Sequence, residues 1–404
     1  MNKEQKYDLN YYHWFYEPNS VSVKIKPKFR KQIFEISLDK AKTMTNLSKI
    51  TNLSKQTLFN YMYGKCMNIK GLKTLLQFVN ISFKEANVNI TEVGWNKIKF
   101  PVKLDTNESA VLFSAIMGDG ANSETIMYKN KDANLISKVK NSTKKWIGNV
   151  TIGHQTSDKD IPFITFPRIF GRILNYVGIP SGKQMKFNPG IPEVVKNSKK
   201  ETKRMFIQQF FDDEGWPEPN QMKVAISQCV DATKYLPKKF INKIKRLETI
   251  YIKDIPIDIK SKIIEPKILT DIHDILKNEF NIYSNIRFKR LLIRKKHITG
   301  AFELEIQRKD DVKKFIEKIN FFSSIKKKKA EYMINRSRNF PQNITLLIIN
   351  EAIKISKEKK YFFAYELAKN LKYPQAPIRK RLSTLVKKGI FEKEREKYFI
   401  NIKY

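Results

Sequence analysis

Two apolar segments of the same form decide the fold: SAVLFSAIMGDGA (109–121) and RMFIQQFFDDEGW (204–216). Each is an apolar run of helical length that ends in an acidic residue followed by glycine, Asp119-Gly120 in the first and Glu214-Gly215 in the second. Glycine suits the C-terminal end of a helix, where the backbone often takes a positive φ. A carboxylate beside it lies at the negative end of the helix dipole and costs free energy unless a cation compensates it. The pattern therefore predicts two helices whose terminal acids bind a divalent metal.

The blocks that follow the two segments also resemble each other. Alternating strands are predicted at VTIGH (150–154), VAISQ (224–228) and FELEIQ (302–307), and each leads into an amphipathic helix. This pattern is typical of a divergent internal repeat of the α-β-β-α type, with a basic run after the last helix. We call 106–200 the first half and 201–330 the second half.

Composition indicates the class of partner. The chain has 404 residues with 78 Lys+Arg against 40 Asp+Glu, a net charge of +38, which predicts binding to nucleic acid. The alternative is that the lysines are ordinary solvent-exposed surface residues, which an A+T-rich genome would make abundant. Two cysteines and four scattered histidines exclude a disulfide framework and a structural zinc site. Because no apolar run suits a membrane span or a signal peptide, we expect a protein of the cytoplasm, associated with the nucleoid, or of an organellar matrix.

The stretch LSKITNLSKQTLFNYMYGK (47–65) predicts two short helices around a turn at Asn52–Leu53. Ser54 is the expected N-cap of the second helix. The pattern resembles the helix-turn-helix of the Cro and phage-repressor class, whose second helix enters the major groove. An ordinary three-helix packing unit is the alternative. The predicted buried positions are Leu47, Ile50, Leu53, Leu58 and Tyr61, and the predicted DNA contacts are Lys55, Gln56, Thr57 and Asn60.

The C-terminal segment 344–404 predicts three helices followed by two short strands around a charged turn. This order resembles a winged helix, although some winged helices serve only protein contacts. The third helix would be the recognition helix and carries Arg379, Lys380 and Arg381. The remaining boundaries are a basic aromatic lead-in (1–36), the helix-turn-helix domain (37–84), a linker (85–105) and a polar connector (331–343).

The paired segments resemble the LAGLIDADG homing endonuclease family. LFSAIMGDG (112–120) and IQQFFDDEG (207–215) fit its nine-residue motif, and GIPSGKQ (178–184) and FFSSIKKKK (321–329) match its basic segments. The resemblance implies an α+β fold: a pseudo-two-fold pair of α-β-β-α halves with antiparallel DNA-binding sheets, flanked by small helix-turn-helix and winged-helix domains. One departure is the third motif position, normally small, which holds Ser114 and the bulky Gln209. Another is that Asp212, Asp213 and Glu214 are all acidic, and only the motif alignment selects Glu214.

The resemblance also implies an activity. Asp119 and Glu214 would hold Mg²⁺, for which Mn²⁺ is a possible substitute, and the metal would lower the pKa of the attacking water and stabilise the leaving oxygen. The expected reaction is a double-strand break in a long, non-palindromic DNA target, made by a monomer that carries both halves. Further residues implied by the family are Lys183 and Lys326 near the attacking water, and His154 and Gln228 at the strand ends.

DNA sequence would be read by two sheets lying in successive major grooves. Expected strand residues facing DNA are Lys144 and Lys145 in the first half, and Arg294, Lys295 and Lys296 in the second. Alternation alone leaves open which way Glu303, Glu305 and Gln307 point.

Two other functions stay open at this point. A protein could keep this fold, add a helix-turn-helix and act as a non-cleaving DNA-binding transcriptional regulator. An RNA-binding intron maturase would use the same basic surface. Acids at both motif ends favour the nuclease, because a pure binder gains nothing from carboxylates that face phosphate.

Overall fold

The structure is a computed structural model, and it describes residues 7–10, 13, 21–93, 98, 101–148, 150–157, 160–237, 241, 249–294, 297–335 and 343–401. The chain forms two compact units, Met1–Glu331 and Tyr332–Tyr404. The fold mixes α-helices with antiparallel β-sheets. Among the described helices, none combines the length and the apolar composition that a membrane crossing needs.

The N-terminal part of the first unit is a helical layer with a small sheet. Its elements are β1 (Asp8–Leu9), β2 (Ser22–Ile25), α1 (Pro27–Ala41), α2 (Met44–Thr51), α3 (Lys55–Met62), β3 (Met67–Asn68), α4 (Ile69–Val79), α5 (Phe83–Asn87), β4 (Ile90–Val93) and β5 (Val102–Lys103). The strands β3, β2 and β4 form one sheet in that order, and β1 pairs with β5. The lead-in predicted for 1–36 is therefore wrong over 27–36, where Pro27 takes the first helical position, at which its missing N–H costs nothing.

The α2–α3 pair has the turn that the sequence predicts. Asn52 takes a left-handed conformation (φ 52°) after α2, and the Ser54 hydroxyl accepts from the Thr57 N–H at 3.1 Å to begin α3. Leu58 and Tyr61 are buried as predicted, but Ile50 is 57% exposed. The buried residues of α2 are Leu47 and Thr51, one turn apart, and Ile50 lies at the exposed edge of that stripe.

The first half consists of α6 (Asn107–Met117), β6 (Gly120–Ala121), β7 (Ile126–Lys129), α7 (Ala133–Ile147), β8 (Gly153–Thr156), β9 (Pro162–Phe166), α8 (Arg168–Tyr176) and two short helices, α9 (Gln184–Phe187) and α10 (Glu193–Lys196). Its sheet has the order β6-β7-β9-β8. Lys144 and Lys145 lie in the last turn of α7, so the prediction that they are strand residues is wrong. The strand was expected too early, because only Gly153–Thr156 pairs with β9.

The second half repeats this order. It consists of α11 (Lys200–Glu214), β10 (Gly215–Glu218), β11 (Lys223–Asp231), β12 (Thr249–Tyr251), α12 (Ile257–Lys260), α13 (Lys267–Phe280), β13 (Asn285–Arg294), β14 (His297–Ile306), α14 (Lys309–Lys318) and α15 (Ser324–Asn335). Its sheet has the order β10-β11-β14-β13-β12. Each half therefore contains two β-hairpins, with three main helices in the first half and four in the second, rather than the single α-β-β-α unit that the sequence predicts. The hairpin of β6 and β7 was missed because strands of two and four residues are too short to show alternation.

The second unit is a small domain with its own core. It contains α16 (Ile344–Lys359), β15 (Phe362–Phe363), α17 (Ala364–Asn370), α18 (Gln375–Lys387), β16 (Phe391–Glu394) and β17 (Lys397–Ile400), with the strands in the order β15-β17-β16. Its core is centred on Ile348, Phe362, Leu382 and Phe391. Arg379, Lys380 and Arg381 are exposed on α18.

Candidate active site

The two acid-bearing helices, α6 and α11, pack directly against each other. The Ser114 hydroxyl on α6 donates to the Phe206 carbonyl oxygen on α11 at 2.8 Å. Because a serine side chain is short, this hydrogen bond requires the two helix backbones to be close. At the C-terminal ends, a Cβ added to Gly118 would lie only 2.8 Å from the Cβ of Asp213. The bulky Gln209 is fully buried, and its amide turns towards Tyr128 and Asp213. A small residue is therefore present at the third motif position only on α6.

The motif glycines serve a different purpose from the one that the sequence predicts. Gly215 has φ −104°, and Gly120 is absent from the positive-φ residues of the described chain, so neither needs the left-handed region. Both instead begin a strand: Gly215 directly after α11, and Gly120 two residues after Gly118, at which α6 ends. A Cβ at Gly120 would lie 2.5 Å from the Ile116 Cα, and one at Gly215 would lie 2.7 Å from the Phe211 carbonyl oxygen. Glycine is required because the chain turns back tightly onto its own helix.

Asp119 lies between α6 and β6. Its Oδ2 accepts from the Asn130 Nδ2 at 2.8 Å. Burial raises the pKa of Asp119 from 3.8 to about 6, while the Lys326 charge and the Asn130 hydrogen bond act in the opposite direction. The Asp119 residue nevertheless remains exposed to solvent, so a carboxylate with a raised pKa and few compensating partners is open to take up a cation.

Glu214 is the last residue of α11 and is hydrogen-bonded by the Gln228 side chain. Burial and then the Asp119 charge raise its pKa from 4.5 to about 7, and Gln228 and Lys326 partly offset them. The Asn130 Nδ2 lies 2.8 Å from the Asp119 Oδ2 and 3.3 Å from the Oδ1 of Asp213, the residue before Glu214, so the ends of the two motifs are adjacent. The two motif ends thus bring like charges together.

Three acids in a row, 212–214, end in three different environments. The Asp212 carboxylate accepts from the backbone N–H groups of Phe322 and Ser323 at 3.0–3.1 Å, at the start of α15, and lies 3.8 Å from the Lys138 Nζ. The Asp213 carboxylate accepts from the Tyr128 hydroxyl at 2.7 Å, and burial raises its pKa well above 3.8. Of the three, only Glu214 lines a cleft.

That cleft has a volume of about 460 Å³ and runs along the ends of both motif helices. Lys183 is exposed and lines it together with Glu214 and Gln228. Lys326, on α15, donates from its Nζ to the Asp212 carbonyl oxygen, and the charges of Asp119 and Glu214 act on it. Burial lowers the pKa of Lys326, and those carboxylates counteract the shift. Of the six predicted site residues, Glu214, Gln228 and Lys183 line the cleft, Lys326 interacts with both acids, and Asp119 lies between Gly118 and Gly120, which line it. His154 is not among the lining residues.

The equivalence that the sequence assigns to His154 and Gln228 is wrong in register. Gly120 pairs with Tyr128, and Gly215 pairs with Ile226, so the residues two positions further along are Asn130 and Gln228. The Asn130 side chain hydrogen-bonds the Asp119 carboxylate, and the Gln228 side chain hydrogen-bonds the Glu214 carboxylate. His154 instead lies exposed on the outer strand β8, opposite Ile164. Asn130 and Tyr128 were missed: Asn130 follows Gly120 by 10 residues and Gln228 follows Gly215 by 13, so no common spacing relates the two amides.

The polar face of the second sheet carries a network of ion pairs. Lys223 and Lys289 each contact both Glu303 and Glu305, and Arg287 lies 3.3 Å from Glu305. Glu305 also accepts from the Gln307 amide at 2.8 Å. These side chains therefore lie on the face opposite the apolar residues of β14. Arg294 ends β13, but its side chain, Lys295 and Lys296 lie outside the described residues.

The donor set fits a hard divalent cation that keeps part of its water shell. Two convergent carboxylates are typical of a Mg²⁺ site completed by water and phosphate. Over the residues that the structure describes, no group of three or more His, Cys, Asp or Glu side chains is placed to enclose an ion by itself.

Comparisons with known proteins give only weak similarities. No family model matches the chain, and no curated protein matches its sequence. A structure of mesophilic variants of the homing endonuclease I-DmoI covers 60% of this chain and 96% of its own, with 13% identity and a TM-score of 0.31. The crystal structure of I-DmoI in complex with DNA and Mn covers 53% of this chain and 96% of its own, also at 13% and 0.31. No family is established by these matches. A third, of I-DmoI with DNA and Ca, has a TM-score of 0.29 at 13% identity, and covers 53% of this chain and 88% of that one.

Proposed function

We propose that the protein is a site-specific DNA endonuclease of the homing type, which makes a divalent-metal-dependent double-strand break in long, non-palindromic DNA. The observation that supports the proposal is that Asp119 and Glu214 stand at the C-terminal ends of two helices that pack against each other. Each carboxyl has a raised pKa, and Asp119 acts on Glu214 electrostatically. Placing two like charges beside each other costs free energy, so their juxtaposition favours a role in binding a cation.

In this proposal the two halves are related by a pseudo-two-fold axis between α6 and α11. Asp119 and Glu214 would hold Mg²⁺ or Mn²⁺, which when bound would activate water and stabilise the leaving oxygen. Asn130 and Gln228 orient the two carboxylates through hydrogen bonds. Lys326 provides positive charge beside both acids, and Lys183 is exposed in the cleft, where a phosphate of the scissile strand could contact it.

The terminal domains would lengthen the DNA contact. We propose that α2–α3 acts as a helix-turn-helix through Lys55, Gln56, Thr57 and Asn60, of which Lys55 and Gln56 are exposed. The second unit would act as a winged helix through Arg379, Lys380 and Arg381 on α18. Exposed cations of this kind supply mainly phosphate contacts, which fix register and raise affinity. The partner is double-stranded DNA, and a monomer suffices because both acids belong to one chain.

The test is a cleavage assay with Mg²⁺ and DNA that carries the flanks of the gene. Wild type is compared with Asp119→Asn and Glu214→Gln, and with Glu201→Gln as a matched control on α11, outside the cleft. Cleavage by wild type and control, with binding but no cleavage by the site variants, supports the nuclease. Sequence-specific binding without cleavage by any of the four proteins would instead identify a DNA-binding regulator, which the two terminal domains would serve equally well.

A further inference from the structure

The two motif helices differ at the residue before the terminal acid. In the first motif this residue is Gly118, and in the second it is Asp213. A Cβ at Gly118 would lie 2.8 Å from the Asp213 Cβ and 3.1 Å from its Oδ2. The absence of a side chain on α6 therefore leaves the room that the carboxylate of α11 occupies. Asp213 reaches across the helix interface into the first half.

There, Asp213 meets side chains that belong to the first half. Its Oδ1 accepts from the Tyr128 hydroxyl at 2.7 Å and from the Asn130 Nδ2 at 3.3 Å. Gln209 on α11 donates to the same carboxylate at 3.1 Å, which fixes its orientation from the other side. Tyr128 is fully buried and Asp213 is half-buried, so these hydrogen bonds are partly shielded from water, which strengthens them.

Asn130 is held at both ends of its amide. Its Oδ1 accepts from the Asp132 N–H at 2.9 Å, which assigns the Nδ2 to the opposite side. The Nδ2 lies 2.8 Å from the Asp119 Oδ2, 3.2 Å from the Tyr128 hydroxyl oxygen and 3.3 Å from the Asp213 Oδ1. An amide nitrogen has two hydrogens, so one serves Asp119 and the other serves the Tyr128–Asp213 pair.

We infer that Asp213 is a positioning residue that acts across the two halves: with Tyr128, it fixes the Asn130 amide and thereby the Asp119 carboxylate. Glu214 has no matching arrangement, because the corresponding position on α6 is Gly118. The two carboxylates are therefore oriented by different means, and loss of Asp213 or Tyr128 weakens the metal contact of Asp119 selectively. The inference rests on the proposed function. It adds that cleavage of one DNA strand depends on Asp213 and Tyr128, whereas cleavage of the other strand does not.

The variants are Tyr128→Phe, which removes one oxygen, and Asp213→Asn, which keeps the shape of the side chain. Tyr283→Phe, at a half-exposed site, is the matched control. Gln228→Ala perturbs Glu214 alone. Mn²⁺ binding to the protein is measured by electron paramagnetic resonance, and nicking is followed separately on each strand. Mutating a residue that hydrogen-bonds a metal ligand typically lowers metal affinity or activity by about 10–100-fold.

We expect Tyr128→Phe and Asp213→Asn to weaken Mn²⁺ binding by about 10–100-fold and to slow one strand selectively, so that nicked DNA accumulates. Gln228→Ala should slow the other strand, and the control should match wild type. Equal slowing of both strands, or unchanged Mn²⁺ binding in Tyr128→Phe, overturns the inference while the proposed function stands. A wild-type protein that neither binds Mn²⁺ nor cleaves overturns both. If Asp213→Asn does not fold, Tyr128→Phe decides.

Discussion

Replacing Glu214 by Gln should make the metal-free protein more stable at alkaline pH. Its folded-state pKa is about 7, against 4.5 for an ordinary glutamate, and burial is the main cause. A carboxyl with a raised pKa favours the folded state only while protonated. Its contribution is present below pH 4.5, declines as the pH rises through the window from 4.5 to 7, and is lost above it. At about 1.4 kcal/mol per pH unit, the ionised side chain costs about 3 kcal/mol at pH 8.

The glutamine keeps the shape of the side chain and can still accept from Gln228, so the variant should gain about 3 kcal/mol at pH 8 and less than about 1 kcal/mol near pH 4.5. The assay is urea unfolding followed by tryptophan fluorescence. The sequence 332–404 contains no tryptophan, and Trp146 and Trp216 lie in the described part of the first unit, so the fluorescence signal does not report the second unit. Adding Mg²⁺ should stabilise wild type, because an ion that binds only the folded state shifts the equilibrium, and should not stabilise the variant.

Glu201→Gln provides the control on the same helix. The hydrogen bond from Arg204 is the main cause that lowers the pKa of Glu201, so its ionised form favours the folded state and its replacement should bring no gain at pH 8. A Glu214→Gln protein no more stable than wild type at pH 8 without metal would refute the reasoning, since it would mean that the carboxyl is not desolvated.

Three further predictions concern packing and charge. Gly118→Ala should cost about 1–3 kcal/mol in urea unfolding, because the new methyl group meets the Asp213 Cβ at 2.8 Å, and a wild-type midpoint would contradict this. Asp212→Ala should cost about 3–5 kcal/mol in the same assay, because it leaves Lys138 buried without its ion-pair partner, and a loss below about 1 kcal/mol would argue against the pair. The triple variant of α18 in which Arg379, Lys380 and Arg381 are replaced by alanine should bind DNA with a weaker salt dependence. The slope of log Kd against log salt concentration should fall by up to about 3 if all three side chains contact phosphates, and an unchanged slope would exclude such contacts.

The sequence predicts the long elements well because each carries its own signal. The apolar run 109–117 is buried throughout, and α6 follows from it. Ser54 indicates the start of α3 through its hydroxyl, a local effect that needs no tertiary context. The three helices and final strands of the second unit also follow from local patterns. What these elements share is length or a specific end residue.

The parts that escaped prediction depend on contacts distant in sequence. Asn130 and Asp213 are 83 residues apart, and their hydrogen bond exists only because α6 and α11 pack together. The glycines at 120 and 215 were assigned to a backbone conformation, whereas the space beside each of them is what matters. Lys144 and Lys145 were placed on a strand because the short hairpin before α7 left no alternating signal, which shifted the predicted strands along the chain.

The contact between Gly118, which has no side chain, and the Asp213 carboxylate at the helix interface has a consequence for protein engineering. A homodimer built from two copies of the second half would oppose two Asp213 side chains across one axis, and two copies of the first half would oppose two glycines and leave a void. Each half is therefore shaped for the other. Chimaeras that exchange a half with another protein should recover assembly only when residues 118 and 213 are transferred as a matched pair.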